Sequence, residues 1–379
     1  MNLTINRQTL ATLLQRVADV AKPKNSTEIC RGVRLEAKDG KLVASGTDLD
    51  VYIETSVDAM VKDGGVAVAN HAKLSAFVSC MAGGDVKLSV GKRGLSVESG
   101  SQKATVSLMD EKLWPQMAEL KNGAAEFSVD AKTLGRAISS VKGSCSKSDD
   151  RKTLKGVCVE IDGAGFTAIA ADGISMSIYS SPADRGFKPA KGAKVAILPP
   201  LLVAAFSHIL SETSGAVALR TDGKLASLES EGFSARGRLF DDEYPRWRNV
   251  AAQLKSVDSH LDVARADVMD ALRLVSNTTE EAVGGLFVKA KFSPAGIEFA
   301  GSADDSASSA FVGAEDGGGP GGAQTFLICP KRLMNLVSST VSDTIRMRYN
   351  ADEKRHPVVV ECPTGYTGIV MPAAYTRTA

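Results

Sequence analysis

A pattern that recurs three times constrains this chain more than any other sequence feature. Its first copy combines an amphipathic helix, with Leu10, Leu14 and Val17 on one face, and a hairpin that ends at Asp48. The second and third copies repeat this order with Leu134, Ile138, Val141 and Asp172, and with Val268, Leu272, Val275 and Asp304. The aspartate follows the first apolar residue by 38 residues in two copies and by 36 in the third. Self-similarity of this kind indicates tandem structural units.

The length of the chain agrees with three such units. A chain of 379 residues exceeds one ordinary core, since a domain averages about 150 residues. The repeat places the domains at residues 1–125, 126–254 and 255–379, with a linker at Lys121-Asn122-Gly123. We therefore predict a three-domain protein.

Composition excludes several classes of protein. Hydrophobic residues make up 44% and charged residues 23%, and no apolar run reaches the ~20 residues of a membrane helix. The first residues lack the basic and apolar regions of a secretory signal, so we expect a cytoplasmic protein without membrane partners. Six cysteines without any C-x-x-C pair predict reduced, mostly buried thiols and no metal site. A net charge of +1 gives no global electrostatic case for nucleic acid.

Each domain is predicted to be α+β and to consist of two β-α-β-β-β halves. Second helices are expected at 70–81, from Pro199-Pro200 onward, and from Pro330 to Ser339. On the first of these, Leu74, Phe77, Val78 and Met81 form the predicted apolar face. Loops are expected at Trp114-Pro115, at 244–247 and, flexible and glycine-rich, at 315–322. Helices in such a unit cover one sheet face, which favours a two-layer architecture.

Domain size limits how these modules could close into an assembly. A module of about 125 residues has a diameter of roughly 35 Å. Three touching spheres of that size leave a gap of only about 5 Å, whereas six leave a hole of about 35 Å. Duplex DNA, roughly 20 Å across, passes only through the larger hole. A ring around DNA would therefore need two copies of the chain.

Several motifs in this order resemble one known family. They are the hairpin end Gly46-Thr47-Asp48-Leu49-Asp50, then Ala170-Ala171-Asp172-Gly173, Tyr244-Pro245, and the C-terminal Ile369-Val370-Met371-Pro372. Over its whole length the chain resembles the bacterial DNA polymerase III beta subunit, the beta sliding clamp, as a divergent member. The resemblance implies three DNA-clamp domains and a head-to-tail homodimeric ring, with helices lining the hole and sheets outside. It also implies a non-catalytic processivity factor without cofactors.

The resemblance implies two kinds of binding site, of which the first contacts double-stranded DNA. Cations on the helix faces would contact phosphate without reading bases. Lys24 matches a DNA-contacting basic residue of the family by its position after the first helix. The other predicted DNA-binding residues are Arg7, Arg16, Lys73, Arg136, Lys142, Lys147, Arg273, Lys331 and Arg332, and Lys22, Lys132 and Arg265 are further candidates.

The second implied site is an apolar cleft for short peptides of the polymerase catalytic subunit and the clamp-loader complex. Apolar side chains that converge from distant stretches suit a peptide groove. The residues carried over to this cleft are Leu154, Ala171, Gly173, Ile174, Met176, Pro245, Val250, Ile369, Val370, Met371 and Pro372. Ser175 and Asn249 stand where the family often has basic residues, Thr27 and Glu28 where it has Leu-Pro, and a tail at 373–379 follows Pro372. The cleft is therefore expected to prefer a different motif or to be partly covered by the tail.

Two other functional classes remain as alternatives. An enzyme would need a catalytic constellation, but the four histidines show no ligand spacing and no glycine-rich stretch precedes a helix as a phosphate loop does. A protein-binding repeat scaffold would need neither clustered cations on its helices nor dimerisation. The sequence does not distinguish a main replicative clamp from a specialised paralogue.

Overall fold

The structure is a computed structural model that describes residues 1–121, 124–162, 164–182, 194–282, 285–352 and 356–373. Two predicted features lie outside these ranges, namely residues 122–123 of the linker and 374–379 of the tail. Within these ranges no helix is both long and apolar enough to cross a membrane. The helices are α1 Arg7–Val17, α2 His71–Cys80, α3 Ala131–Val141, α4 Pro200–Glu212, α5 Trp247–Ala252, α6 Arg265–Val275 and α7 Pro330–Ser338.

The strands are mostly short and pair antiparallel. Those in the first half of the chain are β1 Asn2–Asn6, β2 Gly32–Lys38, β3 Lys41–Thr47, β4 Val51–Asp58, β5 Met60–Asp63, β6 Gly65–Asn70, β7 Asp85–Gly91, β8 Gly94–Ser99, β9 Gln102–Val106, β10 Leu108–Met109, β11 Ala125–Asp130, β12 Val157–Asp162, β13 Gly165–Ala171 and β14 Ser175–Pro182. Those in the second half are β15 Lys194–Leu198, β16 Ala216–Thr221, β17 Leu225–Ser230, β18 Phe233–Arg238, β19 Ser259–Ala264, β20 Glu280–Ala282, β21 Gly285–Ser293, β22 Gly296–Ala303, β23 Ser306–Gly313, β24 Asp316–Gly318, β25 Gln324–Ile328, β26 Thr344–Tyr349, β27 Val358–Cys362 and β28 Tyr366–Val370.

The chain forms two compact units, Met1–Gly135 with Arg185–Leu239, and Arg136–Asp184 with Phe240–Ala379. The first unit contains the sheets β5-β1-β7-β8-β9 and β10-β6-β2-β3-β4-β18-β17-β16-β11. The second contains β12-β13-β14-β28-β27-β26-β19-β24 and a sheet of β20-β21-β22-β23 with β25 beside β21. The strand pairs β4–β18 and β14–β28 extend sheets across the predicted domain boundaries. The two compact units therefore do not coincide with the three predicted domains. The three-domain division stays a prediction, whereas the α+β architecture is confirmed.

One backbone contact recurs at the start of the first helix of each repeat. The amide of Arg7 donates to the Gly84 carbonyl (2.8 Å), Ala131 to Gly215 (2.8 Å), and Arg265 to Asp343 (2.7 Å). Each acceptor lies just before the strand that follows the second helix of its repeat. The first-turn amides of a helix have no partner within the helix, so this contact satisfies one of them. The repeat in the sequence is therefore also a repeat in backbone geometry.

The predicted helix faces are buried with one exception. Leu10, Leu14 and Val17, and their counterparts in α3 and α6, are all buried, as are Leu74 and Val78 of α2. Phe77, predicted to face the core, is 38% exposed, so that prediction is wrong. The face of α2 that packs on the sheet is centred on His71, Leu74 and Val78, and Phe77 lies at its margin.

Two predicted loops and the cysteine prediction need correction. Within 315–322, Asp316–Gly318 forms β24 and pairs with β19, so part of this loop is a strand. Trp247, assigned to a loop, begins α5. All six cysteines are free, but only Cys30, Cys158 and Cys362 are buried, Cys145 and Cys329 are intermediate, and Cys80 is exposed.

Candidate functional site

A cavity of about 310 Å³ in the second unit collects apolar side chains from four separate stretches of the chain. The stretches are the 3-10 turn Lys152–Lys155, the turn between β13 and β14, the segment around α5, and the end of β28. Its lining consists of Arg151, Leu154, Ala171, Gly173, Ile174, Ser175, Met176, Tyr244, Pro245, Arg246, Trp247, Val250, Gln253, Ile369 and Met371. We call this cavity the cleft.

Nine of the eleven residues predicted from the family resemblance line the cleft. The two that do not are Val370, which is fully buried in the core cluster of the unit, and Pro372, one residue beyond Met371. Alternate residues of a strand point to opposite faces, so Ile369 and Met371 reach the cleft while Val370 cannot. The assignment of Val370 to the cleft is therefore wrong.

The turn before β14 is fixed by the Asp172 carboxylate. Its Oδ1 accepts the amides of Ile174 (2.9 Å) and Ser175 (2.6 Å), and its Oδ2 accepts Nε of Arg332 (2.7 Å). Partial burial alone would raise the pKa of Asp172, but the amides and the Arg332 guanidinium outweigh burial and lower it. Gly173 has a φ of +90°, which a residue with a side chain rarely adopts. The turn thus presents Ile174 to the cleft from a rigid backbone.

Strand pairing sets the opposite wall of the cleft. Met176 on β14 lies directly across from Ile369 on β28, and the Met371 amide donates to the Ile174 carbonyl (2.9 Å). Leu154, Met176 and Ile369 are buried, whereas Ile174 is 38% exposed. A floor of buried side chains with a partly exposed rim is what an apolar ligand site needs.

Trp247 forms a cleft wall that the sequence interpretation did not include. Its Nε1 donates to Oε1 of Glu160 (2.9 Å), and Arg248 lies over the indole ring, 4.5 Å from the centroid. Arg248 also forms an ion pair with Glu160 (2.5 Å). These contacts lock the ring orientation. The sequence held one signal, since Trp247 directly follows the Tyr244-Pro245-Arg246 segment, but nothing in it pairs Trp247 with Glu160.

The first unit contains the counterpart of this turn without its apolar character. Asp48 Oδ1 accepts the amides of Asp50 (3.1 Å) and Val51 (2.8 Å), as Asp172 does for Ile174 and Ser175. The amide of Arg238 donates to the Asp50 carbonyl (3.0 Å), which matches the bond from Met371 to Ile174. Here, however, Asp50 and Arg238 form an ion pair (3.6 Å) where the cleft has Ile174 and Met371. The same backbone therefore carries an apolar pair in one unit and a charged pair in the other.

The predicted DNA-binding cations differ in their availability. Arg16 pairs with Glu212 (2.5 Å), donates to Thr55 Oγ1 (2.8 Å) and lies over the Phe233 ring, and Arg332 is held by Asp172. Arg273 is exposed but pairs with Asp270 (2.8 Å). Arg7 and Arg265 are partly buried, and each has an Nε without a hydrogen-bond partner. The remaining cations are exposed: Lys22, Lys24, Lys73, Lys132, Arg136, Lys142, Lys147 and Lys331.

Histidine and acidic side chains serve local contacts. His71 Nε2 donates to the Leu14 carbonyl (2.9 Å), and His208 Nε2 lies 3.0 Å from Glu212. Among the described residues, no group of three or more His, Cys, Asp or Glu side chains could hold a metal ion.

Comparison with known proteins identifies the class through the fold. The structure matches the DNA polymerase sliding clamp of Bacillus subtilis with a TM-score of 0.88 at 18% identity, covering 99% of this chain and 100% of that one. It also matches the Helicobacter pylori beta clamp bound to a DNA ligase peptide, with a TM-score of 0.83, 17% identity and the same coverage. The fold is thus that of a sliding clamp.

Sequence matches then define the family. The chain belongs to the DNA polymerase III beta subunit family, whose N-terminal domain matches residues 1–118 and whose central domain matches residues 128–246. The beta sliding clamp of Pseudomonas aeruginosa is 23% identical over 252 residues, 66% of this chain and 68% of that protein. Members of this family are processivity factors without catalytic activity, which confirms the prediction that the chain is not an enzyme. The low sequence identity to these relatives confirms that the chain is a divergent member.

Proposed function

We propose that two copies of the chain close head to tail into a ring around double-stranded DNA. The ring would tether the DNA polymerase catalytic subunit, the clamp-loader complex and other replication or repair proteins through the cleft. Such a protein would act in the cytoplasm, where bacterial chromosomal DNA lies. The observation that carries the tethering role is the cleft itself, in which four separate stretches build one apolar cavity beside a partly exposed Ile174.

The cleft has the properties of a site for a short linear peptide. Its volume of about 310 Å³ accommodates a few apolar side chains, and its floor is buried before any ligand arrives. Because the turn at Asp172 and the ring of Trp247 are both held by hydrogen bonds, little ordering is needed on binding. The related Helicobacter pylori clamp shares this fold and was solved with a peptide bound.

Contacts to DNA would come from the exposed cations on and after the helices. We propose Lys24, Lys73, Arg136, Lys142, Lys147 and Lys331 as phosphate contacts, with Arg7 and Arg273 as further contributors. Each lysine or arginine that reaches a phosphate increases the affinity for DNA, independently of sequence and in a salt-sensitive way. Arg16 and Arg332, which the family resemblance also suggests, are held by Glu212 and Asp172 and would contribute less.

The dimer would form between two open sheet edges. In the first unit β9 is an edge strand, and α2, which carries the exposed Phe77, packs beside it. In the second unit β23 is an edge strand, with Phe311 on it 62% exposed and Leu274 of the adjoining α6 50% exposed. Unpaired backbone groups on an edge strand readily pair with another chain, and neighbouring apolar side chains favour burial. We propose that β9 of one copy pairs with β23 of the other.

Topological linkage to DNA is the test of this function. The chain is loaded onto a nicked circular plasmid with its cognate clamp loader, and the complex is separated from free protein by gel filtration at about 150 mM salt, where weak phosphate contacts are screened. We expect the protein to elute with the circle and to be lost after a restriction enzyme linearises the plasmid. Equal retention on linear DNA would contradict encirclement and indicate an ordinary DNA-binding protein.

A further inference from the structure

The first unit contains a second cavity, of about 500 Å³, on the outer face of its nine-stranded sheet. Helix α1 packs on the other face, where Arg16 contacts Thr55 and Phe233. Alternate residues of a strand point to opposite faces, so Glu54 on β4 and Ser234 on β18 point into the cavity. Its volume is within the range of ligand sites, roughly 300–1,000 Å³. The cavity shares no lining residue with the cleft, and we call it the groove.

The groove is the polar counterpart of the cleft floor within the internal repeat. In the groove Tyr52 on β4 lies directly across from Arg236 on β18, as Met176 on β14 lies across from Ile369 on β28 in the cleft. Both pairs stand two residues beyond the turns that are held by the matching aspartates. The same backbone arrangement therefore carries a charged and aromatic floor here, and a ligand of the groove must supply polar groups.

One end of the groove has hydrogen-bond donors without an acceptor. None of the ion pairs among the described residues involves Arg236, whose guanidinium carbon lies 5.8 Å from the centroid of the Tyr52 ring. Ser227 lies directly across from Arg236 on β17 and is 1% exposed, and its Oγ has no hydrogen-bond partner among the described residues. Buried polar atoms are nearly always paired, and an exception calls for an explanation such as a ligand. A carboxylate at this end would satisfy both side chains.

The next position along β18 has the opposite character. Ser234 lies between Glu54 on β4 and Glu229 on β17, and both glutamates are exposed. Within the described residues only Oε2 of each carboxylate is engaged, by two hydroxyl groups at Glu54 and by a guanidinium group at Glu229. A cationic side chain above Ser234 would therefore find an acceptor on either side.

We propose that the groove binds an extended segment of a partner protein that carries an acidic and a basic residue two positions apart. The acid would bind Arg236 through two parallel N–H···O bonds and accept the Ser227 hydroxyl, and the base would lie between Glu54 and Glu229. Arg236 and Ser234 are two residues apart on β18, about 7 Å, and an extended peptide places its own alternate side chains at that spacing. Nucleic acid, whose backbone offers only negative groups, would meet the two glutamates. The proposal depends neither on the ring nor on the cleft.

A selection from a random linear-peptide display library tests the groove on the full chain. Every protein in the comparison carries Ile174→Asp, which places a charge in the cleft and keeps peptides for that site out of the selection. This parent is compared with the same chain carrying Arg236→Glu and with a control carrying Lys62→Glu. The control makes the same change in charge at an exposed residue outside the groove. Thermal unfolding monitored by circular dichroism checks that each variant folds.

We expect the parent and the control to select peptides with an acid and a base two positions apart, and Arg236→Glu to select peptides with a base at both positions. For the best peptide, replacing the acid by its amide should weaken binding to the parent about tenfold, as for hydrogen bonds to charged groups. On Arg236→Glu that replacement should not weaken binding. Selection of no peptide, of peptides without this spacing, or of the same motif by Arg236→Glu would overturn the proposal.

The variant Ser227→Ala separates a binding role of this serine from a structural one. It removes a buried hydroxyl without a partner, so the melting temperature of the free protein should rise by about 2–4 °C. Binding of the best peptide should weaken about fivefold, because the acid loses one donor. A lower melting temperature with unchanged peptide affinity would show that Ser227 is structural and would overturn the placement of the acid.

Discussion

At the scale of single residues, the geometry of the cleft depends on a few polar side chains behind its apolar surface. Asp172 fixes the backbone of the turn that carries Ile174, and Arg332 holds the second oxygen of the same carboxylate. Glu160 fixes the Trp247 ring in a comparable way. Asp172, Arg332 and Glu160 all act through hydrogen bonds or ion pairs. Charged side chains therefore hold the apolar residues of the cleft in place.

The variant Asp172→Asn should loosen this turn. The amide keeps the size of the side chain but loses the ion pair with Arg332 and one good acceptor, so we expect a loss of about 1–3 kcal/mol in the free energy of unfolding. Peptide affinity should fall as well. Urea unfolding and a binding titration check both, with Arg332→Gln as the partner variant. If Arg332→Gln weakens neither stability nor peptide binding, the ion pair between Asp172 and Arg332 does not stabilise the turn.

The acid dependence of stability follows from the lowered pKa of Asp172. The folded pKa lies below the unfolded value of about 3.9, so this group stabilises the fold above that pH. Its contribution is lost as pH falls below about 4 toward the folded pKa. The difference in unfolding free energy between wild type and Asp172→Asn should therefore shrink in acid. A difference that stays constant from pH 6 to pH 3 would contradict this linkage.

At the scale of elements, the helices are joined to each other and to the strands by close, specific contacts. His71 at the start of α2 donates to the Leu14 carbonyl of α1 and is buried. Gly46 of β3 and Gly301 of β22 lie against the C-terminal ends of α1 and α6, where a Cβ would meet Val17 and Val20, or Thr278 and Val275. Both of these copies of the repeat therefore need a small residue where the strand packs against the first helix.

His71 should make the α1–α2 contact sensitive to pH. Burial lowers its pKa below the ordinary value, and the bond to Leu14 offsets this only in part. The unfolded chain therefore takes up a proton at a higher pH than the folded chain, and stability falls as pH drops below about 6.5. In His71→Gln this component should be absent between pH 7 and pH 5. Parallel stability curves for the two proteins would contradict it.

Gly301→Ala should destabilise the second unit by about 1–3 kcal/mol. The new methyl group would overlap the Thr278 carbonyl oxygen, which is backbone and cannot rotate away. Gly313→Ala is the matched control, because nothing lies within 4 Å of a Cβ at that position in the adjoining strand β23. Chemical denaturation of both variants gives the comparison. Similar stabilities would mean that α6 can shift away from β22 at little cost.

At the scale of the whole molecule, the proposed ring depends on how two copies cover their open edges. The double variant Leu274→Asp with Phe311→Asp should disrupt the dimer. Leu274 on α6 and Phe311 on β23 are both at least half exposed, and the new aspartates would place charge in the proposed interface. Sedimentation equilibrium should give the mass of one chain for this variant and the mass of two chains for the wild type. Val341→Asp, at a residue 57% exposed but outside β23 and α6, serves as control and should stay dimeric. A wild-type monomer at micromolar concentration would remove the ring.

Local periodicity in the sequence was sufficient to locate the first helices and the turn aspartates Asp48 and Asp172. Asp304, predicted as the third such aspartate, lies in the short turn between β22 and β23 and accepts no backbone amide from the described residues. Periodicity was sufficient because the position of an apolar residue within a helix or strand depends on its near neighbours. Phe77 shows the limit, since its spacing fits the buried face of α2 and only the packed neighbours leave it exposed. Val370 shows the same limit on a strand, where one residue decides between the core and the cleft.

The sequence by itself determined the repeat, the α+β class and, through the resemblance, most of the cleft. Only the tertiary structure brought Trp247, Arg151 and Arg246 to that cleft and bound Arg16 to Glu212. The physical reason is that hydrophobic spacing acts along one element, whereas the pairing of charges depends on which distant segments meet after strands such as β14 and β28 have paired.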